Sequence, residues 1–199
     1  MDKRFEDLLL EFAQQEEESG RKEIEKRLWE EFGTVKAVLV MDLSGFSLLT
    51  QRYGIVHYLS MVRRMQLASQ PVIEQKGGRV VKYEADNCFA MFDDAHAALQ
   101  AALDLNEVFN RMNVYTEEKF DIRVAIGIDF GEVLLTGGPD YFGAIVNRAS
   151  KLGEDIASPG EILITKAAFE HIPQKDRPRA EPLKLSISGI RLDALSIKL

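Results

Sequence analysis

Charged side chains interrupt two stretches of this 199-residue sequence that otherwise have the composition of buried strands. The stretch "VVKYEADNCFAMF" at 80–92 carries Lys82 and Asp86 between apolar halves, and "VLVMDLSGFS" at 38–47 carries Asp42 where a strand should end. Adjacent strands would bring the two aspartates to one sheet edge, where like charges repel unless a cation lies between them. A carboxylate pair that binds two divalent cations is typical of metal-assisted phosphoryl transfer.

The small-residue turn after Asp42 predicts a phosphate-binding loop. The residues Leu43, Ser44, Gly45 and Phe46 lead directly into a helical pattern. Backbone N–H groups at the start of a helix can bind phosphate oxygens, and a neighbouring carboxylate can bind the Mg²⁺ of a phosphate ligand. An ordinary aspartate turn has the same local sequence, so this motif alone does not establish a function.

Helical and strand patterns alternate around these residues in the order β-α-β-β-α-β, which predicts an α+β fold with a ferredoxin-like core. In such a core the four strands share one sheet with the helices on one face. Strands are expected over 36–42, 79–84, 87–92, 121–129, a separate strand after Gly131, and 161–165. Helices are expected over 46–75 with a break near Gly54, and over 94–113, 143–156 and 166–171. The alternating tail over 183–199 predicts a closing hairpin with Gly189 near its turn.

Residues 1–32 are expected to form an N-terminal helical segment that precedes a domain of residues 33–199. Apolar side chains recur at helical spacing over 3–18 and 21–32, with a break at Ser19-Gly20. The segment holds 11 acidic and 6 basic side chains. Its apolar stripe would otherwise be exposed, which predicts that it packs on the domain or on a dimer.

The composition excludes several classes of function. A net charge of −7 argues against nucleic-acid or anionic-membrane binding, which needs a basic face. The sequence has no apolar run of about 18 residues and no signal peptide, so we expect a cytoplasmic protein without membrane insertion. The single cysteine, Cys88, lies in an apolar run and is expected to be a buried thiol. The histidines His57, His96 and His171 show no metal-ligand spacing.

Four blocks of the sequence resemble the catalytic domain of class III adenylyl and guanylyl cyclases. They are "VLVMDLSGFS", "GGRVVKYEADNCFAMF", "IRVAIGIDFGEVL" and "DYFGAIVNRASKLGE", and they agree in order and spacing over roughly residues 34–175. The resemblance implies an adenylyl cyclase that converts ATP to 3′,5′-cyclic AMP and pyrophosphate. It also implies two Mg²⁺ or Mn²⁺ ions per site, a site at a homodimer interface, and an upstream sensor or regulatory domain as a possible partner.

The resemblance assigns roles residue by residue. The metal-binding positions match Asp42, Asp86 and Leu43. The substrate-binding positions match Lys82 and Asp140 for the base, and Leu43, Ser44, Gly45 and Phe46 for the phosphates. The catalytic positions match Asn147, which orients the ribose in the family, and Lys151, which replaces the arginine that stabilises the transition state.

The two base-reading residues favour adenine over guanine. Adenine presents N1 as an acceptor and its 6-amino group as a donor. Lys82 can only donate and an ionised Asp140 can only accept, so the pair matches adenine and mismatches the reversed edge of guanine. Guanine-selective members of the family usually carry glutamate and cysteine at these positions.

Departures from the family pattern keep a second hypothesis open. Lys151 loses the bidentate fork of arginine, Ala85 stands where the family usually has glycine, and the short connection from Gly131 to Asp140 shortens the dimer arm. Glu84 is either a spectator or an additional metal neighbour. A cyclase-like domain of little or no turnover, used for regulated dimerisation or nucleotide sensing, is therefore the alternative. A ferredoxin-like nucleic-acid binder would share the fold, but the sequence lacks the basic face.

Overall fold

The structure is a computed structural model that describes residues 2–138, 140–187 and 190–198. Within these residues, helices pack against one eight-stranded sheet. The helices are α1 Lys3–Gln14, α2 Glu18–Phe32, α3 Phe46–Tyr53, α4 Ile55–Gln75, α5 Ala95–Asn113, α6 Ala144–Ser150 and α7 Lys166–Glu170. The strands are β1 Gly33–Leu43, β2 Arg79–Glu84, β3 Asn87–Phe92, β4 Val124–Leu135, β5 Tyr141–Phe142, β6 Glu161–Thr165, β7 Glu181–Ile187 and β8 Ile190–Lys198.

The sheet order confirms the predicted ferredoxin-like core. The strands lie in the order β2-β3-β1-β4-β6-β8-β7, with β5 beside β4. The first four are antiparallel to their neighbours, and β6 joins β4 in parallel. β1 is central, and its residues Ala37 to Met41 are all 0% exposed. A continuous apolar run of this kind is typical of a strand that is covered on both faces.

Helices cover both faces of the sheet, whereas the sequence predicted helices on one face only. The two helices of the ferredoxin-like core, α4 and α5, do share one face. α4 and α5 pack on the face formed by Leu39, Met41 and Ile126. α6 lies on the opposite face, where its Ile145 packs with Val38. The second face therefore carries a further layer that the ferredoxin-like pattern did not predict.

The predicted break in the fourth core strand at Gly131 is wrong. β4 runs without interruption from Val124 to Leu135, because all 11 residues of β1 pair with β4. Gly131 lies opposite Lys36 inside this ladder. A long partner strand thus overrides a glycine that would end a strand by local propensity alone.

The predicted break between the N-terminal helices also lies elsewhere. Ser19 and Gly20 belong to the first turn of α2, and the chain turns at residues 15–17 instead. A Cβ atom on Gly20 would lie 2.5 Å from the side-chain nitrogen of Gln15. The glycine therefore permits close packing against the turn and does not end a helix.

The N-terminal helices pack on the domain itself, which was one of the two predicted arrangements. Phe5, Leu8 and Leu28 form a small core against which Leu134 of β4 packs. The backbone N–H of Asp2 donates to the Thr136 carbonyl oxygen at 2.7 Å. The predicted domain boundary between residues 32 and 33 stays a prediction. The same holds for an upstream sensor or regulatory domain as a partner of the chain.

Three further expectations concern the tail, the cysteine and the membrane. β7 and β8 are antiparallel, which confirms the closing hairpin, whereas the predicted turn residue Gly189 lies outside the described residues. Cys88 is 0% exposed, and burial raises the pKa of its thiol to about 12. Among the helices that the structure describes, none is both long and apolar enough to cross a membrane.

Candidate active site

The structure brings Asp42 and Asp86 together at the end of two neighbouring strands. Asp42 lies one residue before the end of β1, opposite Asn87 of β3. Asp86 lies in the turn that joins β2 to β3, and its carbonyl oxygen accepts the backbone N–H of Leu43 at 3.3 Å. This is the sheet edge at which the sequence placed the two aspartates.

The electrostatics of this edge favour a bound cation. Burial, the charge of Asp86 and the charge of Glu154 together raise the pKa of Asp42 from 3.8 to about 7. Among the described residues no group of three or more His, Cys, Asp or Glu side chains could hold a metal ion. Mg²⁺ is commonly bound by one or two carboxylates, with water and substrate phosphates as its other ligands. The pair of aspartates and the Leu43 carbonyl oxygen fit that pattern.

The metal-free protein should become less stable as the pH rises through this range. The folded state binds the Asp42 proton more tightly than the unfolded state, so its stabilising contribution is present below pH 3.8 and is lost as the pH approaches 7. We expect a loss of about 1–2 kcal/mol in the free energy of unfolding between pH 4 and pH 8, after allowance for solvent screening of this half-buried group. Urea unfolding in EDTA would measure it.

The matched control for this pH dependence is Asp42→Asn, which cannot ionise. The variant should be more stable than the wild type at pH 8 and should lose the pH dependence assigned to this group. A wild-type chain whose stability increases from pH 5 to pH 8 by more than the variant's would contradict the assignment.

The turn that carries Asp86 contains a strained residue. Ala85 has a φ of 51°, and it is the one non-glycine residue with positive φ among those the structure describes. The turn has two residues between the paired Glu84 and Asn87. Two-residue hairpins with positive φ at the first position favour glycine there, so Ala85 is strained at the position where the family usually has glycine.

Ala85→Gly should stabilise the protein. Relief of the left-handed strain contributes about 1–2 kcal/mol, and the added flexibility of glycine in the unfolded chain removes about 0.5–1 kcal/mol of that. The expected net gain is roughly 0.5 kcal/mol in urea unfolding at pH 7. Ala157 has an ordinary φ of −61°, and Ala157→Gly should lower the stability; an equal effect of the two substitutions would count against strain at Ala85.

Two of the backbone N–H groups in the predicted phosphate loop already donate to other backbone oxygens of the chain. Gly45 precedes α3 with a φ of 100°, and no described side chain caps this helix. The Ser44 N–H donates to the Arg123 carbonyl oxygen at 2.9 Å, and the Leu43 N–H is bonded to Asp86. The N–H groups of Gly45 and Phe46 are therefore the better candidates for a phosphate, since the first turn of a helix leaves its donors unpaired.

A β-bulge directs Lys82 toward Asp140. The register of β2 against β3 shifts between Val80 and Lys82, so Lys82 lies opposite Phe89. A bulge changes the direction of the side chain that follows it. The Lys82 ammonium lies 3.2 Å from an oxygen of Asp140 and 5.2 Å from the centre of the Phe89 ring. The structure thus brings the two predicted base-reading residues into contact.

Two contacts around this pair were not predicted. Glu84 lies 2.8 Å from the Lys82 ammonium, so it pairs with the lysine, whereas its expected role as a spectator or an additional metal neighbour stays a prediction. Glu84 is also the main reason that the pKa of Lys82 is raised. On the other side, the Thr136 hydroxyl donates to the Asp140 carbonyl oxygen at 2.8 Å. Thr136 also binds Asp2, so the N-terminal segment contacts the loop that carries Asp140.

Asn147 and Lys151 lie on the second face of the sheet. α6 carries Asn147 and ends at Ser150, and a π-helical segment, Lys151–Ile156, replaces the rest of the predicted helix. The Lys151 ammonium lies 2.7 Å from a carboxylate oxygen of Asp155. Within the described part of the chain, neither Asn147 nor Lys151 forms a hydrogen bond or ion pair with Asp42 or Asp86.

A buried ion pair that sequence reasoning missed anchors α6. Asp129 is 0% exposed, and its carboxylate accepts from Arg148 Nε at 2.5 Å and from the Thr165 hydroxyl at 2.5 Å. Arg148 follows Asn147 directly, so the pair holds the helix that carries it. The signal was an aspartate inside the apolar stretch "AIGIDF" at 125–130, since buried charges need partners.

Tyr58 of α4 was also missed. It is 1% exposed, and its hydroxyl lies 2.8 Å from Asp86 Oδ2 and 2.7 Å from the Leu43 carbonyl oxygen. Its helical spacing with Met61 and Met65, which are also buried, is typical of a core aromatic residue. Only the tertiary structure shows where its hydroxyl lies.

Comparison with known proteins supports the resemblance seen in the motifs. The family model described as "Adenylate and Guanylate cyclase catalytic domain" matches residues 30–182. An adenylate cyclase from Streptomyces coelicolor is 34% identical over 145 residues, which are 73% of this chain and 36% of that protein. The chain therefore spans little more than a third of the length of this relative.

Solved structures show the same fold over most of the chain. An adenylate/guanylate cyclase/hydrolase from Silicibacter pomeroyi is 30% identical with a TM-score of 0.66, over 82% of this chain and 96% of that one. A dimeric guanylyl cyclase domain of the RhoGC fusion protein from Blastocladiella emersonii is 19% identical with a TM-score of 0.69, over 83% and 97%. The second likeness concerns the fold alone.

Proposed function

Because this chain belongs to the adenylate and guanylate cyclase catalytic domain family, we propose that it is an adenylate cyclase that forms 3′,5′-cyclic AMP and pyrophosphate from ATP. The observation that carries the choice of nucleotide is the contact between Lys82 and Asp140 at 3.2 Å. The relative from Streptomyces coelicolor, which is named an adenylate cyclase, supports the same choice.

The proposed reaction uses Lys82 and Asp140 to read the base. An ammonium group has three N–H donors, and Glu84 and Asp140 occupy two of them. The third can donate to adenine N1, while the second oxygen of Asp140 accepts from the 6-amino group. Glu84 thereby holds Lys82 in position without contacting the base. Guanine would present a donor to the lysine and an acceptor to the aspartate, so both contacts would be lost.

Asp42, Asp86 and the Leu43 carbonyl oxygen would hold two Mg²⁺ or Mn²⁺ ions. When bound, these ions would lower the pKa of the attacking 3′-hydroxyl and neutralise the triphosphate. The N–H groups of Gly45 and Phe46 would bind phosphate oxygens at the start of α3. Asn147 would orient the ribose, and the charge of Lys151 would stabilise the α-phosphate as negative charge develops on it.

The site as proposed needs a second copy of the chain. Asn147 lies on α6 and Lys151 begins the π-helical segment, and within the described residues neither forms a hydrogen bond or ion pair with the aspartates of the same chain. A homodimer would pair the aspartates of one chain with Asn147 and Lys151 of the other, and its two-fold symmetry would produce two equivalent sites. The arm formed by β5 beside β4 is short, so it would limit the area that the two chains bury in the dimer.

Lys151→Arg should raise the turnover number. A guanidinium can form one more charge-assisted hydrogen bond to the α-phosphate than an ammonium, and such a bond is worth about 1.5–3 kcal/mol, or roughly 10- to 150-fold in rate. Initial rates of cyclic AMP formation with saturating ATP and Mn²⁺ would measure this effect. Lys166→Arg is the matched control, because Lys166 also pairs with an acid four residues on, and it should change nothing. An unchanged or lower rate for Lys151→Arg would indicate a site built around lysine.

The proposed function is tested by incubating the purified chain with ATP and Mn²⁺, with GTP and CTP in parallel. Cyclic AMP as the main product would support it. A folded dimer that forms no cyclic nucleotide from any of the three would favour the second function, a cyclase-like domain for dimerisation or nucleotide sensing. The observation that favours this second function is the Lys151–Asp155 pair, which occupies the proposed catalytic ammonium.

A further inference from the structure

The hydroxyl of Tyr58 occupies a buried position between two groups of the proposed cation site. It lies 2.8 Å from Asp86 Oδ2 and 2.7 Å from the Leu43 carbonyl oxygen. The residue is 1% exposed on α4, so the tyrosine side chain itself is shielded from solvent. Tyr58 itself has no place in the proposed reaction.

The chemistry of the three groups requires the tyrosine to be the donor. A carboxylate and a carbonyl oxygen can only accept, and a phenol has one proton to donate. The hydroxyl therefore donates to Asp86 or to Leu43 and holds both oxygens within hydrogen-bond distance of itself. Hydrogen bonds to ionised carboxylates are the stronger kind, so Asp86 is the favoured acceptor.

The same side chain connects the three segments that carry the site. The end of β1 contributes Leu43, the β2–β3 turn contributes Asp86, and the start of α3 contributes Phe46. The rings of Phe46 and Tyr58 pack edge to face with centroids 5.0 Å apart. The turn also contains the strained Ala85, so the orientation of Asp86 depends on contacts from outside the turn.

We propose that Tyr58 is a positioning residue of the cation site, whose hydroxyl orients the Asp86 carboxylate and the Leu43 carbonyl oxygen toward the bound cations. The assignment rests on the proposed function, because it takes Asp86 and Leu43 to be ligands. Groups that hydrogen-bond to metal ligands typically change metal affinity by about 10- to 100-fold when they are removed.

The test is the Mn²⁺ affinity of the full chain, which is measured from the electron paramagnetic resonance signal of free Mn²⁺. It is measured for the chain alone and for the chain with 3′-deoxy-ATP, which lacks the attacking hydroxyl. Tyr58→Phe keeps the ring and removes the donor, and it should raise the Mn²⁺ dissociation constant about 10- to 100-fold. Tyr83→Phe is the matched control: its hydroxyl is also partly buried and lies 3.0 Å from Ser69 Oγ and 3.0 Å from the Gln66 carbonyl oxygen. The control should bind Mn²⁺ as the wild type does.

A double substitution separates positioning from a general structural effect. If Tyr58 acts mainly through Asp86, then Tyr58→Phe should weaken Mn²⁺ binding less in the Asp86→Asn chain than in the wild type, with only the contribution through the Leu43 carbonyl oxygen left. Additive losses, or wild-type affinity in Tyr58→Phe, would overturn the proposal, and so would a wild-type chain that does not bind Mn²⁺. If Tyr58→Phe weakens Mn²⁺ binding as expected but the wild type forms no cyclic nucleotide, the proposed enzyme function fails while the role of Tyr58 stands.

Discussion

Asp86→Ala is expected to reduce cyclic AMP formation by at least about 1000-fold while the chain stays folded. Two cations stabilise the transition state by several kcal/mol, and each 1.4 kcal/mol corresponds to about a tenfold change in rate. Removal of the carboxylate also relieves the repulsion that helps to raise the pKa of Asp42. The Tyr58 hydroxyl would keep the Leu43 carbonyl oxygen as its acceptor, so no buried donor is left unpaired.

The measurement is the initial rate with ATP over a range of Mn²⁺ concentrations, together with thermal unfolding in EDTA. Asp104→Ala is the matched control, because Asp104 is a partly exposed carboxylate paired with Lys76 on the surface. It should retain the wild-type rate. A variant at Asp86 that keeps more than a tenth of the wild-type rate would show that this carboxylate does not bind a catalytic cation.

Replacement of both base-reading residues should change the nucleotide preference from ATP to GTP. Lys82→Glu with Asp140→Cys should favour GTP over ATP, with the ratio of kcat/KM values changing by about 10²- to 10⁴-fold relative to the wild type. Each mismatched buried hydrogen-bonding group costs about 1–3 kcal/mol, and two positions change together. Either substitution alone should impair ATP turnover without producing activity with GTP.

The structure adds a requirement that the family pattern does not contain. Glu84 lies 2.8 Å from the Lys82 ammonium, so Lys82→Glu would place two carboxylates side by side. Glu84→Gln should therefore accompany the exchange, and the triple variant should be more active with GTP than the double variant. The matched control is the exchange of Lys36 and Asp93, an ion pair at 2.5 Å between β1 and the residue that follows β3, which should leave the preference for ATP unchanged. A triple variant that still prefers ATP would show that Lys82 and Asp140 do not determine which base is bound.

Features that depend on short-range sequence were predictable. The apolar run of β1 that ends in Asp42 and the two halves of the β2–β3 hairpin follow from local periodicity and turn residues. The motifs also placed Asp42 and Asp86 at one sheet edge, because antiparallel neighbours bring a strand end and a hairpin turn together. The resemblance showed that Ala85 stands where the family usually has glycine, whereas its positive φ of 51° came from the structure.

Features that depend on contacts between distant residues required the tertiary structure. The bulge that directs Lys82 to Asp140 joins positions 58 residues apart, and Tyr58 reaches Asp86 over 28 residues. The continuity of β4 through Gly131 depends on the length of its partner strand. Local patterns specify the period and the ends of an element, but they do not specify which side chain of another element lies opposite. For this protein the sequence determined the fold and the candidate chemical groups. The partners that hold those groups in place were decided by long-range packing, because packing alone sets distances between residues that are remote in the chain.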